Sequence, residues 1–291
     1  MEVFASSAVQ GIVQGSLYAL IALGPSLTYG LLRILDVANA AGLALGAYVG
    51  LEAYSATGQW WLALIAGAMA GAVLGWLIQR LLYRPILGRG PIVPLIAGIG
   101  VFIAAEEAFR LVFGPYNRTF AATLPLPALQ VAGTQVTGVE TLILLIGVTV
   151  FPATWWLLRR TSLGLAWRAT SQDRETAQAM GINIGRVIAS IFVIGYALAA
   201  VGGVLVGVTY NTVYPTMGDI PAYKMLAIIV LGGLGNPLGT ILAAMLIGLV
   251  ETFVVAYFGF VLPRDAIAFI ALILILLVRP RGLLPGDEVV Q

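Results

Sequence analysis

Residues 187–210 read VIASIFVIGYALAAVGGVLVGVTY, a stretch that decides the fold. No Asp, Glu, Lys or Arg occurs from residue 187 to residue 218. Because a transmembrane helix needs about 20 mostly apolar residues, this run is long enough to span a bilayer. Charge-free runs of comparable length recur at residues 3–32, 53–79, 141–158 and 225–250. The sequence therefore predicts an all-α, polytopic membrane protein.

The charge-free runs predict nine helical segments, near residues 8–30, 38–56, 60–82, 91–113, 138–158, 187–210, 223–235, 237–257 and 264–279. The segment 223–235 is too short to cross as a straight helix, so we expect half of a broken or re-entrant helix there. Eight or nine crossings follow, and residues 1–291 are predicted to form a single transmembrane domain. Residues 3–32 are expected to stay in the protein, since Met1 and Glu2 supply no basic region of a signal peptide.

The composition fits a membrane protein and excludes most enzyme chemistries. The 291-residue chain is 60% hydrophobic and 10% charged, with a mean hydropathy of +1.00, whereas soluble domains carry about 25% charged residues. It contains no His and no Cys, which removes imidazole bases, thiol nucleophiles and the usual zinc ligands. We therefore predict no catalytic residue and no metal site. A net charge of +2 gives no indication of nucleic-acid binding, which needs clustered cations.

The distribution of cations predicts the orientation of the chain in the membrane. Ten of the 15 cations fall in three segments, at Arg80, Arg84, Arg89, Arg159, Arg160, Arg168, Arg174, Arg186, Arg279 and Arg281. Lys and Arg are retained on the cytoplasmic side, so these segments and the C-terminus are predicted to be cytoplasmic. The predicted spans place another four cations on the opposite face, namely Arg110, Arg118, Lys224 and Arg264.

Residues 159–186 form the longest predicted cytoplasmic segment, and they carry helix signals of their own. Ser171 is a predicted helix cap, followed by acidic residues in the first turn, and Gly181 is a predicted stop. A short polar helix parallel to the membrane follows from this pattern. A mere tether between spans does not need such a helix, whereas a docking surface does.

Glycine recurs at two kinds of position. Within the predicted spans it repeats every fourth residue, at Gly42, Gly46, Gly50, Gly67, Gly71 and Gly75, which favours close helix packing. Residues 232–240 (GGLGNPLGT) are also glycine-rich, but a phosphate-binding loop ends in Gly-Lys-Ser/Thr and no Lys is nearby. We therefore expect a break between half-helices at Asn236 and Pro237, and expect any ATP hydrolysis to come from another chain.

The predicted spans contain few ionisable residues. Glu106 and Glu107 are spaced to pair with Arg110 on one helix face. Asp36 is predicted to pair with Arg33 where the first span breaks, and Glu251 to satisfy a neighbouring helix end. A proton-coupled carrier would show more intramembrane carboxylates, and an ion channel a filter or a charged ring. The sequence thus favours a path for a largely apolar or zwitterionic solute.

Uncharged polar residues inside the spans are the candidates for lining that path: Gln14, Thr28, Tyr29, Asn39, Thr209 and Asn211. Asn39 is the most telling, because an amide among apolar neighbours costs free energy unless it finds partners. Tyr18, Tyr210 and Tyr214 lie near span ends and are predicted to be interfacial anchors.

Several blocks of the sequence resemble a known family. They are residues 27–33 (LTYGLLR), 45–48 (LGAY), 172–183 (QDRETAQAMGIN), 231–239 (LGGLGNPLG), 248–251 (GLVE) and 279–283 (RPRGL). In this order they resemble the permease subunits of branched-chain amino-acid ABC transporters, of the hydrophobic amino-acid uptake class. The resemblance implies the fold of an ABC importer permease bundle. It also implies a bacterial or archaeal inner membrane as the location.

The same resemblance implies partners. They are two cytoplasmic ATPase subunits, a periplasmic or lipoprotein solute-binding protein, and a second permease that is either related or a copy of this chain. ATP and magnesium would be bound by the ATPases, and no cofactor by this chain. The family's coupling loop corresponds to residues 159–186, with the ATPase contacts at Gln172, Asp173, Arg174, Glu175, Thr176, Ala177 and Gly181.

One block departs from the family pattern and leaves the solute open. Where the family usually has Asn-Phe-Ala-His-Gly, residues 36–40 read Asp-Val-Ala-Asn-Ala. A hydrophobic or branched-chain amino acid is the expected solute, with urea, short amides or another amino acid as alternatives within the same class. A gradient-driven secondary carrier and a purely structural membrane subunit are alternatives from other classes.

Overall fold

The structure, a computed structural model, describes residues 2–90, 92–122, 128–131, 134–259, 263–279 and 282–284. Arg281, predicted to be cytoplasmic, lies outside them. The helices are α1 (Glu2–Leu32), α2 (Asn39–Thr57), α3 (Trp60–Ile78), α4 (Arg84–Ile86), α5 (Ile92–Phe113), α6 (Gly138–Arg160), α7 (Ser162–Gln172), α8 (Arg174–Ala179), α9 (Ile184–Thr209), α10 (Asp219–Gly232), α11 (Pro237–Phe258) and α12 (Arg264–Val278). A π-helical turn, Gln79–Tyr83, joins α3 to α4.

Four short strands lie outside the helices: β1 (Arg118–Thr119), β2 (Leu129–Val131), β3 (Thr134–Val136) and β4 (Thr212–Val213). The pairs β1–β4 and β2–β3 are both antiparallel. The β1–β4 pair fastens the connection after α5 to the chain that follows α9. The fold is therefore a helical bundle with small β-ribbons in its connections.

Each of the nine predicted segments corresponds to a helix, so the all-α prediction is confirmed. Within the described residues, six helices are long and apolar enough to cross a membrane. This is fewer than the eight or nine crossings predicted, in part because α10 has 14 residues and α12 has 15. Apolar side chains on α3, α5 and α6 are exposed, as expected of helices that face lipid or another subunit.

The helices α1 and α9 form the centre of the bundle, because they cross where neither has a side chain. A Cβ added at Gly195 on α9 would lie 3.0 Å from the Cα of Gly24 on α1. Added Cβ atoms at Gly46 on α2 and Gly71 on α3 would clash with Ala200 on α9. Since small residues let helix backbones approach closely in lipid, the predicted role of the glycine repeats is confirmed at these contacts.

The helix α10 begins part of the way through the bundle rather than at a membrane surface. Gly218, just before α10, packs against the carbonyl of Ala40 at the start of α2, and a Cβ added there would lie 3.0 Å from that oxygen. At its other end, Gly232 packs against Gly239 of α11. With a rise of about 1.5 Å per residue, a helix this short covers only part of a bilayer core about 30 Å thick. The segment is a half-length helix, as predicted.

One side of the bundle, where several helices end, carries seven of the arginines that the structure describes, and we call it the Arg-rich end. These residues are Arg80, Arg84, Arg159, Arg160, Arg168, Arg174 and Arg186. Arg80 lies over the ring of Trp76 at 5.2 Å, and Arg159 over that of Trp155 at 5.3 Å. Arginine and tryptophan side chains are the residues that mark membrane–water interfaces. The interface at this end therefore lies near these pairs.

Candidate functional site

Two short helices, α7 and α8, form the segment that was predicted to contact an ATPase. Between them, the Asp173 carboxylate accepts hydrogen bonds from the backbone amides of Glu175 and Thr176, at 2.9 and 3.2 Å. It also accepts one from the Thr176 hydroxyl at 2.5 Å, which lowers the pKa of the Asp173 carboxyl below its usual value. Asp173 is therefore the cap of α8.

The prediction of one helix capped by Ser171 is wrong. Ser171 lies inside α7, where its hydroxyl donates to the Arg168 carbonyl at 2.8 Å. The Asp173 carboxylate accepts several donors at once, so it starts a new helix two residues later. The predicted stop is confirmed: α8 ends at Ala179, and Gly181 follows with φ 87.

The predicted coupling residues differ in exposure. Gln172, Asp173, Glu175, Thr176 and Gly181 are exposed, Arg174 is half-buried and Ala177 is buried. Met180 adds one apolar side chain that is 80% exposed. The result is a small polar surface with an apolar side chain at one edge, which we call the α8 surface. Exposed side chains of this kind are available for contact with another protein.

The α8 surface is fastened to the end of α1. The Arg174 guanidinium donates to the Leu31 carbonyl at 3.0 Å, and the Trp167 indole N–H donates to the Leu27 carbonyl at 3.2 Å. Leu31 lies in the last turn of α1, where carbonyls lack partners within the helix. A Cβ at Gly30 would clash with the Trp167 ring, so the contact is close. The short helices α7 and α8 are therefore in direct contact with the end of α1.

Further along, α1 forms one wall of a cavity of about 390 Å³. The other walls come from the end of α9, residues 210–217 and α10. Its lining is mostly apolar, with Leu17, Ile21, Met225 and Ile228 among the buried residues. Sites for small molecules occupy about 300–1,000 Å³, so the cavity is large enough for one.

A buried ion pair lies at the wall of this cavity. Lys224 on α10 is 2.9 Å from the Glu251 carboxylate on α11, and both are buried. The Tyr18 hydroxyl on α1 donates to Glu251 at 2.7 Å and accepts from Lys224 at 2.7 Å. We call these three residues the Lys224 cluster. Of the three, Lys224 and Tyr18 line the cavity.

Three predictions are corrected by the Lys224 cluster. Glu251 pairs with Lys224 instead of satisfying a helix end, Lys224 is buried instead of lying on a membrane face, and Tyr18 is not an interfacial anchor. The cause is tertiary: α1, α10 and α11 pack together and bring the three side chains to one point. An isolated Lys between apolar residues was the available signal, because intramembrane charges normally mark a site.

The predicted pathway residues are not all brought together. Gln14 lines the cavity. Tyr210 and Tyr214, which were predicted to be interfacial anchors, line it as well. Thr28 and Thr209 donate to carbonyls of their own helices, those of Gly24 and Leu205. The structure places Tyr29 near Gly235 at the Arg-rich end and Asn211 in the exposed connection after α9. Their role in a pathway stays a prediction.

Asn39 and Asp36 lie at the start of α2 and are both fully buried. Asp36 accepts hydrogen bonds from the hydroxyls of Tyr83 at 2.7 Å and Tyr196 at 3.1 Å, so the predicted pair with Arg33 is wrong. Arg33 is exposed, because the backbone turns away there with φ 58. The side-chain amide of Asn39 makes no hydrogen bond within the part of the chain that the structure describes.

The predicted pairing of Arg110 with the adjacent glutamates is confirmed for one of them. Arg110 lies 2.7 Å from Glu107, and both side chains are exposed on α5. Glu106 instead faces Asp219 at the start of α10. The Glu107–Arg110 pair is thus a local contact on one helix surface.

The chain matches one family model over residues 7–278, described as "Branched-chain amino acid transport system / permease component". It is 32% identical to the high-affinity branched-chain amino acid transport system permease protein BraD of Pseudomonas aeruginosa, over 97% of this chain and 95% of that one. It is also 32% identical to the permease protein LivH of Escherichia coli, over 98% and 97%.

More distant similarities were also found. The probable branched-chain amino acid transport permease protein LivH of Methanocaldococcus jannaschii is 28% identical over 95% of this chain and 91% of its own. Among solved structures, PsaBC from Streptococcus pneumoniae in complex with Fab aligns with 95% of this chain and 88% of its own, with a TM-score of 0.42 and 14% identity. That structure is too distant to bear on function.

Proposed function

The chain belongs to the branched-chain amino-acid transport permeases and is a permease subunit of an ABC importer, and we propose that its solute is a hydrophobic or branched-chain amino acid. It is a multi-pass protein of the inner membrane. The mostly apolar cavity between α1, α9 and α10 supports such a solute. Urea, short amides or another amino acid are the alternatives within the same class.

The importer is proposed to contain two cytoplasmic ATPase subunits, a solute-binding protein outside, and a second permease that is related or identical. The Arg-rich end and the C-terminus then face the cytoplasm, and residues 1–291 act as one domain with 159–186 as its coupling loop. ATP and magnesium are bound by the ATPases. This chain itself performs no chemistry.

One observation carries this proposal: the exposed α8 surface and the cavity are parts of one mechanical unit, because α1 contacts both. Arg174 and Trp167 hold the last turns of α1 at the Arg-rich end. Leu17 and Ile21 of the same helix line the cavity. A helix transmits displacement along its length, so closure of the ATPases against the α8 surface would move one cavity wall, as alternating access by rigid-body movement requires.

The contacts and exposure of the predicted coupling residues support different roles for them. Gln172, Glu175 and Thr176 are exposed and would meet the ATPase directly. Arg174 would pass the movement to α1, and Gly181 would permit close approach of the partner, since a Cβ there meets open space.

The solute is tested by identifying what the cognate binding protein carries. We expect mass spectrometry of the ligand released from that protein, isolated with the complex through a tag on this chain, to detect leucine, isoleucine or valine. A parallel preparation from untagged cells controls for free amino acids. Detection of urea or a short amide as the bound ligand would favour the alternatives and contradict the proposed solute.

A further inference from the structure

We propose that the cavity is a binding site for an α-amino acid in transit and that Lys224 recognises its carboxylate. This inference rests on the proposed function and names a recognition residue for its solute. The observation behind it is that a buried cation lines a cavity whose other walls are mostly apolar. A carboxylate with an apolar side chain is the class of solute that matches both features.

Two members of the Lys224 cluster border the cavity, and the carboxylate is not one of them. Lys224 and Tyr18 line the cavity, and Glu251, which does not belong to the lining, holds both of them by hydrogen bonds. Of the two charged residues in the cluster, Lys224 is therefore the one that borders the cavity. A solute carboxylate in the cavity would be attracted to this cation, in surroundings of low dielectric constant that strengthen the attraction.

The rest of the cavity fits the other parts of an amino acid. Leu17, Ile21 and Met225 are buried and provide an apolar wall for an aliphatic side chain. Tyr210 and Gln14 also line the cavity and supply uncharged oxygens, which can accept hydrogen bonds from a solute ammonium group. A neutral amide such as urea offers Lys224 a carbonyl oxygen without a negative charge, so it binds more weakly than a carboxylate and the site discriminates against it.

A role of the Lys224–Glu251 pair in stability alone predicts a different response to substitution. Replacing a buried ion pair by apolar residues of similar volume is often neutral or stabilising. The double substitution Lys224→Met and Glu251→Leu therefore removes the charge while leaving a packed interior. If the pair only stabilises the fold, this variant transports as well as the parent; if Lys224 recognises the solute, transport is lost.

The experiment compares the parent and the double variant in the complete importer, reconstituted in liposomes with leucine and the binding protein. We expect the double variant to assemble, to keep ATP hydrolysis stimulated by the loaded binding protein within twofold, and to lose leucine uptake at least tenfold. Tyr223→Phe is the control, since Tyr223 is adjacent in sequence but 62% exposed. Uptake within twofold of the parent overturns the inference.

A second measurement needs no variant, because Lys224 is the only lysine in the chain. Acetylation of Lys224 by acetic anhydride, followed by mass spectrometry, reports whether the site is occupied. We expect 4-methylpentanoate, which has the leucine side chain and a carboxylate, to slow acetylation at least threefold. The matched 4-methylpentanamide is expected to have no effect, and equal protection by both overturns the role of Lys224.

A wrong proposed function and a wrong role of Lys224 give different experimental results. If the parent importer takes up no leucine with ATP, the proposed function is wrong. If it takes up leucine but the double variant does so equally, or if the carboxylate gives no protection, only the role of Lys224 is wrong.

Discussion

Replacement of Glu175 by arginine is expected to abolish leucine uptake while the chain still folds. Glu175 is exposed on α8, and its backbone, not its side chain, makes the bond to Asp173. The substitution Glu175→Arg replaces an anion by a larger side chain that is a cation, at the proposed ATPase contact. Loss of a central interface residue costs about 2–4 kcal/mol, so uptake and substrate-stimulated ATP hydrolysis should both fall at least about thirtyfold.

A matched control distinguishes this effect from a general effect of added charge. Gln59 is exposed in the connection between α2 and α3, at the other end of the bundle from α8. The substitution Gln59→Arg should leave assembly, hydrolysis and uptake within twofold of the parent. Unchanged hydrolysis and uptake in Glu175→Arg would show that the α8 surface does not dock on the ATPase.

The second large effect is expected at the crossing of α1 and α9. The substitution Gly24→Leu places a side chain against the backbone of Gly195, where even a Cβ would lie 2.9 Å from its Cα. Overpacking costs about 1–3 kcal/mol where side chains can shift, and backbone yields less. We expect the melting temperature of the purified chain in detergent to fall by about 5–10 °C.

Gly100→Leu is the control for this substitution. Gly100 lies on α5, a membrane-spanning helix like α1, and a Cβ there would meet no atom within 4 Å. The added leucine should change the melting temperature by less than about 2 °C in the same detergent. Equal melting temperatures for Gly24→Leu and the parent would mean that α1 and α9 do not cross as the structure has them.

The helical architecture could be predicted from sequence because it depends on local properties. Charge-free runs of sufficient length defined the spans, and the break at Asn236 and Pro237 marked the turn between α10 and α11. Asn236 caps α11 through its side-chain oxygen, which accepts from Leu238 and Gly239. Composition and turn chemistry determine such features without reference to distant residues.

The partners of the buried charges could not be predicted in the same way. Glu251 meets Lys224 and Tyr18 only because α11 packs on both α10 and α1, and Tyr18 is 233 residues away in sequence. Asp36 likewise finds Tyr83, at the end of the π-helical turn after α3, and Tyr196 on α9. Hydropathy locates a helix but does not give its rotation, so it does not reveal which side chains meet.

The start of α8 was predicted wrongly because this segment offers two candidate cap residues. Ser171 and Asp173 are both good cap residues, and they lie two positions apart. In the structure α7 continues through Ser171 to Gln172, and the extended backbone of Asp173 separates it from α8. Two acceptable caps in one segment leave the helix boundary undetermined from sequence.

The proposed function as an ABC importer is decided by whether ATP or an ion gradient drives transport. The measurement is uptake of radiolabelled leucine into liposomes that contain the purified importer, with binding protein outside and ATP either inside or absent. We expect uptake only with internal ATP, and we expect it to persist after proton and sodium gradients are dissipated. Uptake driven by either gradient without ATP would contradict the proposed function, because no ATPase closure would then be transmitted through the α8 surface.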